Sequence, residues 1–209
     1  MIGLILMLAA GATAEPETAK LLRFKRDWEY PKEELKKRIS GLARVQLTIS
    51  PDGKPIRCDL LSSSDSAKLD AEACVISKLG TFSAARDANR KPVYGVLNQG
   101  FIFLTDKPVT APPSVDLSLA VNHMPKNART SVTRIATLAV DAAGVVKSCD
   151  TEPTTMNTEL DKAMCTMALH RLSFKPALDE NGSPVASIQQ FVVEFSAENA
   201  PLNRRVEVR

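Results

Sequence analysis

The four cysteines are the residues whose type and spacing most clearly suggest chemistry. They are Cys58, Cys74, Cys149 and Cys165, so each pair spans sixteen positions and the second pair follows the first by ninety-one. Paired cysteines can form structural disulfides, exchange thiols in a redox enzyme or bind zinc. Redox pairs are typically two residues apart, and zinc sites need tight pairs or nearby histidines, but the chain has only two histidines. The spacing therefore favours structural disulfides.

Of the three connectivities that four cysteines allow, we predict Cys58–Cys74 and Cys149–Cys165. Each bond would join the second strand of a small unit to the following helix, which packs back over the sheet. Closing a loop of about 15 residues contributes roughly 3 kcal/mol in the chain-entropy account. Oxidised cysteines also imply an oxidising compartment such as the periplasm.

The N-terminal residues agree with export. Residues 1–14 carry no charge, run apolar from Ile2 to Ala10, and place Ala12 and Ala14 in the small-x-small pattern of a signal-peptidase site. The apolar run is shorter than the roughly 20 residues that span a bilayer. We expect a signal peptide at 1–14 and a periplasmic location, with an uncleaved anchor or a buried N-terminal segment as alternatives.

The residues around the cysteines repeat with them, which indicates a duplicated domain of about 90 residues. The corresponding positions are Leu47 with Leu138, Ile49 with Val140, Gly53 with Gly144, Leu69-Asp70 with Leu160-Asp161, Phe82 with Phe174, Pro92-Val93 with Pro184-Val185, and Phe103 with Phe195. We predict domain 1 at 15–104, a proline-containing linker at 105–114, domain 2 at 115–200 and a basic tail at 201–209.

Local patterns predict the elements that hold the cysteines. Apolar residues alternate with polar ones from Ala43 to Ile49, as in a half-buried strand, and Asp52-Gly53 suits the hairpin turn before a second strand at 56–61. Leu69, Ala73, Ile76 and Gly80 have helical spacing, and third strands follow at 93–104 and 185–195. The predicted fold class is α+β: two tandem small domains, each a three-stranded antiparallel sheet packed with about two helices.

Composition and motifs give little support for catalysis. The net charge of +3 is small, and one Trp, two Tyr and seven Phe offer no evident platform for stacking bases. The chain contains no G-x-S-x-G, Walker A or H-E-x-x-H motif, and neither His123 nor His170 has an evident catalytic partner. We expect no enzyme activity, metal, cofactor, small-molecule substrate or nucleic-acid partner.

Protein binding remains as a candidate function, because a three-stranded sheet leaves edges at which another extended chain can pair. We predict partner-binding edge strands at 93–104 and 185–195. Their candidate residues are Val93, Val96, Phe101, Phe103, Val185, Phe191, Val193 and Phe195. The alternative is a non-catalytic structural protein of the envelope, in which the two copies pack together and bury these edges.

One family shares these features in the same order. Tyr30-Pro31, the segment from Gly41 to Pro55 with its Pro-Asp-Gly turn, the segment from Leu69 to Ala73, and Phe82 resemble the C-terminal domain of TonB proteins. The resemblance covers 28–104 and, through the repeat, 122–196. It implies a periplasmic domain whose last strand pairs with a short segment of an outer-membrane receptor, and hence a role accessory to TonB-dependent outer-membrane transport.

Overall fold

The computed structural model describes residues 14–24, 28–106, 109, 115–124, 131–151 and 158–197. Within them the chain is α+β, with a mixed sheet and three helices. The predicted signal peptide, apart from Ala14, lies outside the described residues, as do most of the predicted linker and the basic tail.

The helices are short, and most of the strands belong to one sheet. In chain order the elements are β1 (Lys20–Phe24), α1 (Lys32–Lys36), β2 (Gly41–Ile49), β3 (Pro55–Ser62), α2 (Ala67–Lys78), β4 (Gly80–Ser83), β5 (Ala85–Arg86), β6 (Pro92–Phe103), β7 (Leu117–Val121), β8 (Ser131–Val140), β9 (Val146–Thr151), α3 (Thr158–His170), β10 (Ala177–Leu178), β11 (Pro184–Val185) and β12 (Ser187–Ala197). In this described part of the chain, no helix has both the length and the apolar character needed to cross a membrane.

The main sheet joins strands from both repeats. Its order is β3-β2-β6-β12-β8-β9, while β5 pairs with β6 and β7 pairs with β12. The triplets β3-β2-β6 and β9-β8-β12 are antiparallel, as predicted for each copy, but β6 and β12 are paired with each other in parallel. The two predicted three-stranded sheets are thus parts of one continuous sheet, and the division into two tandem domains stays a prediction.

The first core forms between β2 and α2. Alternate β2 residues, from Ala43 to Ile49, are fully buried and pack with Leu69 and Ala73 of α2. The Ser66 side chain caps the start of α2 by accepting a hydrogen bond from the Leu69 backbone N–H, as expected for a serine N-cap. The prediction was wrong at Gly80, because α2 ends at Lys78 and Gly80 begins β4.

Gly80 lies at a position that has no room for a side chain. A Cβ at this position would lie 2.7 Å from the Phe82 ring. The chain therefore uses this glycine to turn from α2 into β4, and β4 pairs antiparallel with β1. The helical spacing ending at Gly80 was coincidental.

The second core lies on the opposite face of the sheet. Phe191, Val193 and Phe195 of β12 face α3 and are at most 3% exposed. Ile188 points to the other face, because side chains alternate along a strand, and it is buried in the first core beside Gly95 of β6. Helices α2 and α3 therefore cover opposite faces.

Both predicted disulfides are present. Cys58 of β3 bonds to Cys74 of α2 with their Cα atoms 5.7 Å apart, and Cys149 of β9 bonds to Cys165 of α3 at 5.5 Å. Each bond fixes a helix to the outermost strand beneath it. The pairing predicted from the repeat is confirmed.

Candidate strand-binding edges

Strand β6 has one side fully paired and the other only in part. The first side pairs with β2 from Gly95 to Phe103. The second side pairs with β5 at Pro92 and Val93 and with β12 at Tyr94–Val96. From Leu97 to Phe103 this second side has no strand partner among the described residues. We call Leu97–Phe103 the open edge.

Strand β12 is occupied on both sides. It pairs with β8 along Ser187–Ser196. Its other side pairs with β6 at Ser187–Gln189 and with β7, in parallel, at Val193–Ala197. The edge predicted for the second copy is therefore filled by segments of the same chain.

Asp116 fixes the start of β7 to β12 by two hydrogen bonds. The Asp116 backbone N–H donates to the carbonyl oxygen of Val192 at 2.8 Å, and the Val192 N–H donates to the Asp116 carboxylate at 2.7 Å. Burial raises the pKa of Asp116 above its ordinary value, and the hydrogen bond from Val192 offsets this only in part. The charged form of this carboxylate thus carries a desolvation penalty.

Asp116→Asn is expected to raise the thermal midpoint at pH 7, because an amide oxygen can still accept from Val192 without the buried charge. The folded pKa lies above the unfolded value, so the folded state binds the proton more readily and stability falls as pH rises through that interval. Thermal unfolding followed by circular dichroism should show the gain at pH 7 and its loss below the ordinary pKa of an aspartate.

Asp141→Asn is the matched control with the opposite sign. Hydrogen bonding to Lys147, and then to the Val145 backbone N–H, holds the pKa of Asp141 below its ordinary value. This carboxylate therefore stabilises the fold above its unfolded pKa, and that stability is lost as pH falls. Asp141→Asn should lower the midpoint at pH 7; equal shifts in both variants would contradict the assignment.

The candidate side chains from the sequence mostly lie in the cores. Val96, Phe103, Phe191, Val193 and Phe195 are buried. Val93, Phe101 and Val185 are half-buried, with Val93 paired to β5 and Val185 to β10. What the open edge presents to a partner is its backbone together with the exposed residues Gly100 and Ile102, which the prediction did not include.

An aromatic cluster packs on one face of the open edge. The Phe24 ring lies 5.8 Å from Phe101, and the rings of Trp28 and Tyr30 lie 5.6 and 6.1 Å from Phe103. The Tyr30 hydroxyl donates to the carbonyl oxygen of Ile39, and burial, then the charge of Glu34, raises the pKa of Tyr30. Tyr30 therefore stays a neutral donor and fixes the segment before α1 against β6.

A shallow apolar groove lies on the other face of the open edge. It has a volume of about 170 Å³ and is lined by Leu42, Arg44, Leu61, Asn98, Gln99, Gly100 and Ile102. Leu61 and Ile102 are 51% and 53% exposed, so this face is apolar but uncovered by the described chain. The open edge is thus flanked by apolar surface on both faces.

A comparison with known protein families matches the part of the chain that contains the open edge. Residues 27–103 match the family model described as the Gram-negative bacterial TonB protein C-terminal domain. The matched segment runs from the residue before Trp28 to the end of β6 and contains the open edge. It covers less than half of the chain, and the second repeat is not matched. No curated protein matches the chain. The family match points to TonB-type interactions at the cell envelope.

Proposed function

We propose that the chain is an exported, periplasmic protein-binding module, accessory to TonB-dependent outer-membrane transport, that binds its partner by strand addition at the open edge. The observation that carries this proposal is the side of Leu97–Phe103 that has no strand partner among the described residues, inside the segment that matches the TonB C-terminal family. Unpaired N–H and C=O groups in a row form a template for another extended chain.

The surroundings of the open edge suit an added strand. Side chains of such a strand alternate between the two faces of the sheet. One set would lie beside the aromatic cluster at Phe101 and Phe103, and the other beside the groove at Ile102. The fitting partner is an extended envelope-protein segment with apolar side chains, such as one from an outer-membrane receptor, and binding requires no catalytic residue.

A second candidate function is a non-catalytic structural role in the envelope. Pairing of β6 with β12, and burial of Ile188 in the first core, favour it because they use part of both predicted edges inside the chain. The pairing takes only Tyr94–Val96 of β6, however. The first proposal therefore keeps a surface of seven residues, from Leu97 to Phe103.

Site-specific crosslinking tests the proposal in the periplasm of the native host. A photoreactive phenylalanine analogue in place of Ile102, on the open edge, is expected to crosslink an envelope protein through an extended segment. Val75 is the matched control, because it is 50% exposed on α2, a helix that offers no strand edge. Mass spectrometry of the crosslinked products identifies the partner and the joined residues.

The comparison of these two positions decides between the candidate functions. Crosslinks that form from position 102 and not from position 75 support strand addition. Equal crosslinking from both positions, or none from position 102, contradicts it and favours the structural role.

A further inference from the structure

Strand β7 pairs with the edge of β12 that corresponds, by the repeat, to the open edge of β6. By the repeat, Phe103 corresponds to Phe195 and, at the same offset, Phe101 to Val193. Phe195 and Val193 pair in parallel with Leu119 and Leu117 of β7, whereas Phe101 and Phe103 have no such neighbour among the described residues. The equivalent edges thus differ in one respect: one is filled by a strand of the chain itself.

The side chains of β7 alternate as those of an added strand should. Leu117, Leu119 and Val121 are half-buried and pack on the second core, while Ser118 and Ala120 lie on the other face. The only strand with which β7 pairs, within the described chain, is β12. Five backbone positions and a partly buried apolar face therefore hold it.

The attachment of β7 also includes a destabilising group. Asp116 must bury its carboxylate to reach the Val192 N–H. A strand held on one side only, with a buried charge at its start, belongs to the less stable end of a structure. The pairing of β8 with β12 and the disulfide that joins β9 to α3 do not involve β7.

We propose that β7 is a tethered stand-in for a partner strand, which closes the edge of β12 at Val193–Ala197 until an external extended segment displaces it. The inference rests on strand addition as the proposed function. A tethered segment competes at an effective concentration on the order of millimolar, so the closed edge accepts an external strand only weakly. At rest, of the two equivalent edges on β6 and β12, only the one on β6 would therefore be open.

A peptide with the sequence of residues 115–122 provides the probe. Fluorescence anisotropy of the labelled peptide should show about tenfold tighter binding to Leu117→Ser/Leu119→Ser than to the wild type, because the variant weakens the internal competitor. Hydrogen exchange should place peptide-dependent protection at Val192–Ala197. Equal affinity for both proteins, or protection confined to Leu97–Phe103, would overturn the proposal.

An engineered, reversible disulfide between β7 and β12 tests the same proposal without weakening the fold. Ala120→Cys/Ser196→Cys joins paired residues of β7 and β12, and oxidation should slow exchange of the β7 amides about tenfold or more. The control disulfide, Thr133→Cys/Glu194→Cys, joins β8 to β12 and should leave the hydrogen exchange of the β7 amides unchanged. If β7 already exchanges as slowly as β8, the strand does not leave and the proposal fails.

The two proposals fail separately. Crosslinking from Ile102 depends on β6 and does not require β7 to move. Loss of the Ile102 crosslinks would remove strand addition as the function, whereas their persistence with an immobile β7 would remove only the displacement of β7.

Discussion

Replacing Cys58 and Cys74 together by alanine should lower the free energy of unfolding by about 3 kcal/mol, as expected for the loss of a disulfide that closes a loop of this length. The bond joins β3 to α2, which covers the first core, so the free chain gains conformations that the disulfide excludes. Urea denaturation followed by circular dichroism measures the change from the shift of the midpoint.

The second disulfide supplies the matched control for this experiment. The Cys149–Cys165 bond closes a loop of the same length, so Cys149→Ala/Cys165→Ala should lose a similar free energy, with the transition of the second core shifted. Under reducing conditions the wild type should approach the four-alanine variant. A loss below about 1 kcal/mol for either pair would show that the folded halves do not depend on their cross-links.

Gly144→Ala is expected to destabilise the fold by about 3 kcal/mol, from a left-handed backbone and a steric clash together. Gly144 has a φ of +82°, and a Cβ there would lie 2.1 Å from the carbonyl oxygen of Phe174. The Phe174 N–H donates to the carbonyl oxygen of Gly144 at 3.1 Å, so Phe174 cannot move away without breaking this hydrogen bond. Thermal and urea unfolding measure the loss.

Gly182→Ala separates the two causes. Gly182 has a φ of +79°, almost the same as that of Gly144, but nothing lies within 4 Å of its added Cβ. This variant should therefore lose only the conformational part, about 1 kcal/mol. If both variants lose the same free energy, the close approach of Phe174 contributes nothing and the explanation is wrong.

The local elements could be predicted because their signals lie within a few residues of each other. Alternation from Ala43 to Ile49 specified β2 and its buried face, and the common spacing of the cysteines specified both disulfides. The glycines in the two hairpins adopt positive φ, as the turns require, with Gly53 at +79°. These features depend on side chains that a strand or turn needs at fixed positions.

The meeting of β6 with β12 could not be predicted in the same way. Strands pair through backbone groups that every residue carries, so alternation specifies which face is buried but not which strand lies alongside. The face of β12 that carries Ile188 and Val192 also carries Gln190 and Glu194, so its residue pattern does not distinguish a central strand from an edge strand.

The sequence predicted an edge strand at 93–104, but strand β7 and the exposed residues of the open edge were beyond it for a related reason. The residues Leu117–Val121 form a pattern too short to distinguish from loop, and the candidate positions on β6 were chosen as apolar side chains. The exposed positions at the open edge are instead Gly100 and Ile102, between those core residues. Because this proposed binding surface consists mainly of backbone groups, the apolar side chains of β6 indicate the core and not the surface.

The order of the main sheet also affects how the protein behaves at high concentration. Because β6 and β12 lie at its centre, the strands at its two ends are β3 and β9, and each carries one cysteine of a disulfide. End strands that separate from their sheet are the usual starting points of aggregation, and charged side chains such as Arg57 and Asp59 on β3 oppose it. The covalent bonds thus restrain the two strands whose fraying would expose the sheet to other copies, so oxidation should protect the protein's solubility as well as its fold.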